Sequence, residues 1–182
     1  MDTIFDYYRK FGTADYIGEP VSQIEHMVQA AMLAEDDGQP PEVILAALFH
    51  DIGHLIQIEC SETERMGNYG VKNHELIAGN FLRDQGIPEP IPSLAENHVK
   101  VKKYRTFKDP IYYEKLSEGS KKSLEFQGGP MTADEARAFE KDKLFELSLK
   151  LRDYDDGAKI KDKEIKPIEY YQDMLEKLLN LK

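Results

Sequence analysis

VILAALFHDIGHLIQI, residues 43–58, is apolar nearly all round, interrupted chiefly by His50, Asp51 and His54. Pro41 stands just ahead of it, where a helix tolerates proline, so the stretch predicts a central buried helix from Pro41. Upstream, Pro20 opens a segment in which Ile24, Met27, Val28 and Ala31 recur at helical spacing until Gly38. Downstream, Asn73 is placed to cap HELIAGNFLRDQ, which Gly86 and the prolines at 88, 90 and 92 end. Ser93 is placed to cap LAENHVKVKKY. Residues 104–131 read as irregular, with Gly128, Gly129 and Pro130 as punctuation, and a connection that long suggests an active-site loop or lid. Thr132 and Asp134 introduce a helix through Phe139, Leu144, Leu147 and Leu151 towards Asp155, and an amphipathic helix from about Pro167 to Leu181 closes the chain. No segment alternates like a strand. The expectation is an all-α bundle, one domain over 1–182.

Composition sets the outer bounds. The chain has 182 residues, enough for one domain with a real core. A single cysteine, Cys60, excludes an intramolecular disulfide. The start, MDTIFDYYRK, lacks a basic, apolar leader, and no apolar run approaches the roughly 20 residues of a membrane span. A cytoplasmic protein without a membrane partner is expected. The net charge of −10 argues against nucleic acid, which needs a dense basic surface. The cluster Lys100, Lys102, Lys103 and Arg105 is too short for such a groove. A small anionic substrate stays compatible, because a few local cations or a metal dominate the field inside a pocket. Oligomeric state is left open.

The chemistry concentrates in the five histidines, His26, His50, His54, His74 and His98, all between residues 26 and 98. One alone is more often a packed or surface histidine. Several imidazoles carried on apolar helices towards one interior need partners, and metal ions supply them. Neighbours on a helix point about 100° apart, so His50 and Asp51 can reach two adjacent ions or bridge them. His54, four residues after His50, shares its helical face.

The order H…HD…H…H…D, from His26 to Asp155, resembles the HD-domain superfamily. That resemblance implies a helical bundle around a di-metal centre, with His26, His50, His74, His98 and Asp155 as terminal ligands and Asp51 bridging. Asp153 and Asp156 are alternatives to Asp155, which is preferred because Arg152 stands three residues before it in the family's register. Mixed N/O ligation suits iron or manganese better than a thiolate-preferring site.

Further residues resemble the mixed-valence di-iron oxygenase branch that cleaves the C–P bond of hydroxyphosphonates (the PhnZ and TmpB types). His54 stands one turn beyond His50, where that branch uses an imidazole contacting substrate and the related inositol oxygenases tend to carry lysine. Lys102 follows His98 by four residues. Tyr16 and Glu19 lie in YIGE, ahead of the first ligand helix. SKKSLEFQGGPMT resembles the family's substrate loop, with Ser120, Ser123 and Gln127 as candidate contacts. The resemblance implies two iron ions (Fe2+/Fe3+), with dioxygen and a small organophosphonate as partners. His54 and Lys102 would be catalytic. Tyr16, Glu19, His54, Lys102, Ser120, Ser123, Gln127 and Arg152 would bind substrate. Glu19 tilts the expected substrate to 2-amino-1-hydroxyethylphosphonate, converted to glycine and phosphate, although nearby aromatics could instead cage a trimethylammonium. A metal-dependent phosphohydrolase and a non-catalytic phosphonate-binding regulator are the other readings.

Overall fold

A computed structural model describes residues 2–16, 18–58, 65–67 and 69–180. Cys60 and the last residue of the expected final helix, Leu181, lie outside them. The described residues form eleven helices and no strand: α1 Asp2–Phe11, α2 Gln23–Asp36, α3 Pro41–Phe49, α4 Ile52–Ile56, α5 His74–Asp84, α6 Ile91–Lys108, α7 Pro110–Lys115, α8 Glu118–Phe126, α9 Ala133–Phe139, α10 Phe145–Gly157 and α11 Ile168–Asn180. None is long and apolar enough to cross a membrane.

Helix α3 is the hub. Val43 to Phe49 are all buried, and α2, α6, α10 and α11 pack against it. An all-apolar helix has no face to offer water, so neighbours on every side are its only stable setting. The unforeseen helix α1 closes one end: Ile4, Phe5 and Tyr8 enter the core, and the Tyr8 hydroxyl donates to the Leu48 carbonyl at 2.7 Å. A small satellite core, Val101, Met131, Ala136 and Phe139, ties α9 to α6.

Several boundaries differ from expectation. The central helix is not continuous to Ile58. It breaks at the His-Asp pair, with Asp51 at φ −107° and ψ 7°, and resumes as the short α4. The break turns the Asp51 carboxylate inward. Gly53 then lets α4 run against α5, because a Cβ there would lie 2.0 Å from the His74 carbonyl oxygen. Helix α2 is capped by Ser22, in a capping box with Glu25, rather than by Pro20. Asn73 holds the N-cap position of α5 but makes no side-chain cap bond. Ser93 lies inside the first turn of α6, where its N–H is accepted by Glu89 Oε2 at 3.2 Å. The stretch 104–131 is largely helical: α6 continues to Lys108, then Asp109 caps α7 and Ser117 caps α8. Polar caps thus convert a Ser- and Lys-rich stretch into short helices. The expected helix from Thr132 is two helices, α9, with a Thr132–Glu135 capping box, and α10.

Candidate metal centre

Four helical segments deliver the imidazoles to one buried point: α2 carries His26, the end of α3 His50, the start of α5 His74, and α6 His98. The four rings share one hydrogen-bonding pattern. Each Nδ1 faces a backbone carbonyl: His26 that of Ala158 at 2.9 Å, His50 that of Ala47 at 2.7 Å, His74 that of Val71 at 3.1 Å and His98 that of Ala95 at 2.6 Å. A carbonyl only accepts, so each Nδ1 must carry the proton, which leaves each Nε2 with a bare lone pair. These nitrogens face one another in pairs, His26 with His50 at 3.1 Å and His74 with His98 at 3.0 Å.

The Asp51 carboxylate divides between the pairs. Its Oδ2 lies 3.6 and 3.5 Å from the Nε2 atoms of His26 and His50, and its Oδ1 lies 3.2 and 3.3 Å from those of His74 and His98. Asp155 adds Oδ1 to the first pair, 3.4 Å from His26 and 3.8 Å from His50. Facing lone pairs beside buried carboxylates repel unless a cation sits among them. Nδ1–H donation to carbonyls is also how metal-bound imidazoles are oriented. The donor set therefore fits two cations, one at His26, His50 and Asp155, the other at His74 and His98, with Asp51 between. Asp51 is held well below the usual carboxylate range: burial opposes this, but the histidines around it outweigh burial.

The neighbouring acids take other roles. Asp153 is exposed and pairs with Arg105 at 2.5 Å, while Asp156 accepts from Arg152 at 2.5 Å and from the Tyr112 hydroxyl at 2.8 Å. Arg152 meets Asp155 Oδ2 at 2.8 Å and donates Nε–H to Tyr112 at 3.0 Å. Its guanidinium is thus engaged by protein groups around Asp155.

His54 differs from the other four histidines. Its ring stacks on His74 with centroids 4.0 Å apart, and its Nδ1 accepts the Val71 N–H at 3.2 Å. The proton therefore sits on Nε2. Although Asp51, His54 and His74 are close enough to share an ion, His54 in this tautomer is a donor, not a ligand. Gly70, at φ +98°, makes room for it, since a Cβ would lie 2.7 Å from His54 Cε1.

Beside the centre opens a cleft lined by Tyr16, Glu19, His54, Lys102, Ser120, Ser123 and Arg152 among others. Lys102 is buried and donates to Ser123 Oγ at 2.8 Å. Burial, with Arg152 nearby, pulls its ammonium down to about 7. Tyr16 stacks on His26 with centroids 4.1 Å apart. Two expected substrate residues differ in surroundings: Glu19 already pairs with Lys159 at 2.8 Å, and Gln127 does not line the cleft. Gln23, Met66, Tyr69, Gly70 and Gly119 line it without having been singled out from sequence. Of these only Gln23, one turn before His26, carried a spacing signal.

Fold and site together define a helical protein with a buried cluster of histidines and aspartates that could hold metal, beside a polar cleft. The chain belongs to the HD domain family, whose model matches residues 24–127, from just before His26 to beyond Lys102. It is 47% identical over 175 residues to an uncharacterized protein of Acanthamoeba polyphaga mimivirus, covering 96% of this chain and 80% of that one. It is 36% identical over 182 residues to a [1-hydroxy-2-(trimethylamino)ethyl]phosphonate dioxygenase (glycine-betaine-forming) of Leisingera caerulea, covering 97% and 87%. It is 33% identical over 182 residues to a hydroxymethylphosphonate dioxygenase of Gimesia maris, covering 98% and 88%.

Proposed function

We propose that this chain is a di-iron dioxygenase that cleaves the carbon–phosphorus bond of a 1-hydroxyphosphonate. The balanced reaction is R–CH(OH)–PO3(2−) plus O2 giving R–COO(−), hydrogen phosphate and a proton. One observation carries the reading: the paired His/Asp cluster shares a cleft with a buried lysine, two serine hydroxyls and an imidazole N–H. Near full-length similarity to two proteins named phosphonate dioxygenases supports it.

His26, His50 and Asp155 would hold one iron, His74 and His98 the other, with Asp51 shared. When bound, a mixed-valence pair would supply the electrons and Lewis acidity that dioxygen chemistry requires. The remaining work falls to side chains of the cleft. Lys102 spends one of its three N–H bonds on Ser123 and can turn the others to a phosphonate oxygen. Ser120 adds a hydroxyl donor, the Ser123 hydroxyl being donated to the Ser120 carbonyl at 3.1 Å, and His54 offers Nε2–H. Helix α8, which contributes Gly119, Ser120 and Ser123 to the wall, serves as the lid that keeps bulk water from the reacting carbon. Arg152 acts on Asp155, orienting that carboxylate, more than on substrate. The substituent R is best taken as aminomethyl, so that the product is glycine, with Glu19 and its neighbours at the substituent end.

The test is turnover of 2-amino-1-hydroxyethylphosphonate by iron-loaded protein under labelled dioxygen. Label in the products and no phosphate release without oxygen are expected. Equal phosphate release under strict anaerobiosis would refute the oxygenase reading in favour of a hydrolase.

A further inference from the structure

Tyr16, Glu19 and Gln23 build a second wall of the cleft. This wall meets the α8 wall at the rim, where a Cβ on Gly18 would lie 3.8 Å from the Gly119 Cα. Gln23 is the first residue of α2, one turn ahead of His26, and only 7% exposed. Its amide nitrogen donates to the Asp15 carbonyl at 3.4 Å, while its Oε1 is buried without a partner. Rotating the amide by half a turn would set Oε1 against that carbonyl, acceptor against acceptor, so the orientation is determined. Among the described residues the other buried polar atoms without partners belong to Glu75, Gln127 and Tyr171, none of which lines the cleft. A buried acceptor on a residue that lines a binding cleft is explained by a donor that arrives with the ligand.

The neighbouring acid is already compensated. Glu19 Oε1 accepts from Lys159 Nζ at 2.8 Å, and that ammonium also lies 5.9 Å from the centroid of the Tyr16 ring. A substrate cation entering here meets a nearly neutral wall, in which the free acceptor is an amide carbonyl. We infer that Gln23 is the specificity-determining residue of this cleft: its Oε1 accepts a hydrogen bond from an N–H or O–H on the substrate's substituent. The inference rests on the phosphonate reading above and adds a selection rule. Substituents that carry a donor bind. A fully methylated ammonium has no hydrogen to offer and would leave Oε1 desolvated and unpaired.

The test is a binding measurement on iron-loaded protein without oxygen, with 2-amino-1-hydroxyethylphosphonate and its trimethylated analogue as probes. Wild type is expected to bind the primary amine at least tenfold more tightly. Gln23→Leu should erase most of that margin, with iron content serving as the check that the centre is intact. Gln23→Glu, which keeps an acceptor at the position, should retain the margin. Equal affinities in wild type, binding of neither probe, or an undiminished margin in Gln23→Leu would overturn the inference. Tight, discriminating binding without oxygen-dependent phosphate release would instead overturn the oxygenase reading and leave the selection rule standing.

Discussion

Loading the centre with metal is expected to release protons held between facing imidazole nitrogens, chiefly from the His74–His98 pair. The expectation comes from the two Nε2–Nε2 contacts of 3.1 and 3.0 Å. With every Nδ1–H committed to a carbonyl, metal-free protein can relieve each contact only by placing a proton between the nitrogens as N–H···N. The two pairs should not hold their protons equally. Burial disfavours charge on His74, but its hydrogen bond to Asp51 and that carboxylate's charge outweigh burial and raise its pKa. Burial instead pushes His50 down to about 4 despite Asp51 and Asp155. The His74–His98 pair should therefore keep its proton to higher pH. Protons compete with metal for the same lone pairs, so affinity must rise with pH wherever the metal-free pair is protonated. One displaced proton corresponds to a tenfold gain per pH unit, about 1.4 kcal/mol. Anaerobic Fe(II) titration against a chelator at pH 6, 6.5 and 7 measures this slope. Calorimetry in two buffers of different ionisation enthalpy counts the protons. A pH-independent affinity with no proton release would refute the tautomer assignment and the metal fit built on it.

Four further outcomes follow from the same geometry. Asp51→Ala should lose both ions by elemental analysis, because this carboxylate alone lies within 3.6 Å of all four Nε2 atoms. Asp153→Asn, at an exposed partner of Arg105, should keep near-normal metal content. Lys102→Met should raise KM for the hydroxyphosphonate steeply, since a desolvated charge-assisted contact is worth about 2–3 kcal/mol, roughly 30- to 150-fold. Gly70→Ala forces a left-handed residue against His54, at a strain of about 1–3 kcal/mol, and should lower Tm by roughly 2–10 °C with a fall in kcat.

Much of this protein was legible one residue at a time. Helix α3 was visible because an apolar run of its length has no amphipathic alternative, and α2 and α11 because their periodicity is local. The five histidines stood out as polar groups carried on apolar helices and Asp155 through the HD-domain resemblance, and the tertiary structure brings all of them to the centre or its rim. Sequence was weaker where an outcome depended on competition between neighbours. Residues 104–131 read as irregular because Ser, Lys and Gly have modest helix propensity. The Asp109 and Ser117 caps, and packing of Leu124 against the body, shifted the balance to helix. Spacing likewise put His54 on one face with His50. The break at Asp51 rotates α4 and lays His54 on His74 instead.

Local pattern determined which residue types the chain offers to its interior: four imidazoles and two carboxylates on helices that must bury them. Only the tertiary structure decided which atoms of those groups face inward. Tautomers are set by carbonyls, and that of Ala158, which orients His26, lies 132 residues away in sequence. The Lys159 that neutralises Glu19 lies 140 residues from its partner. Spacing along a helix reports a face. The partner that fixes a proton or cancels a charge is found only once distant segments have packed.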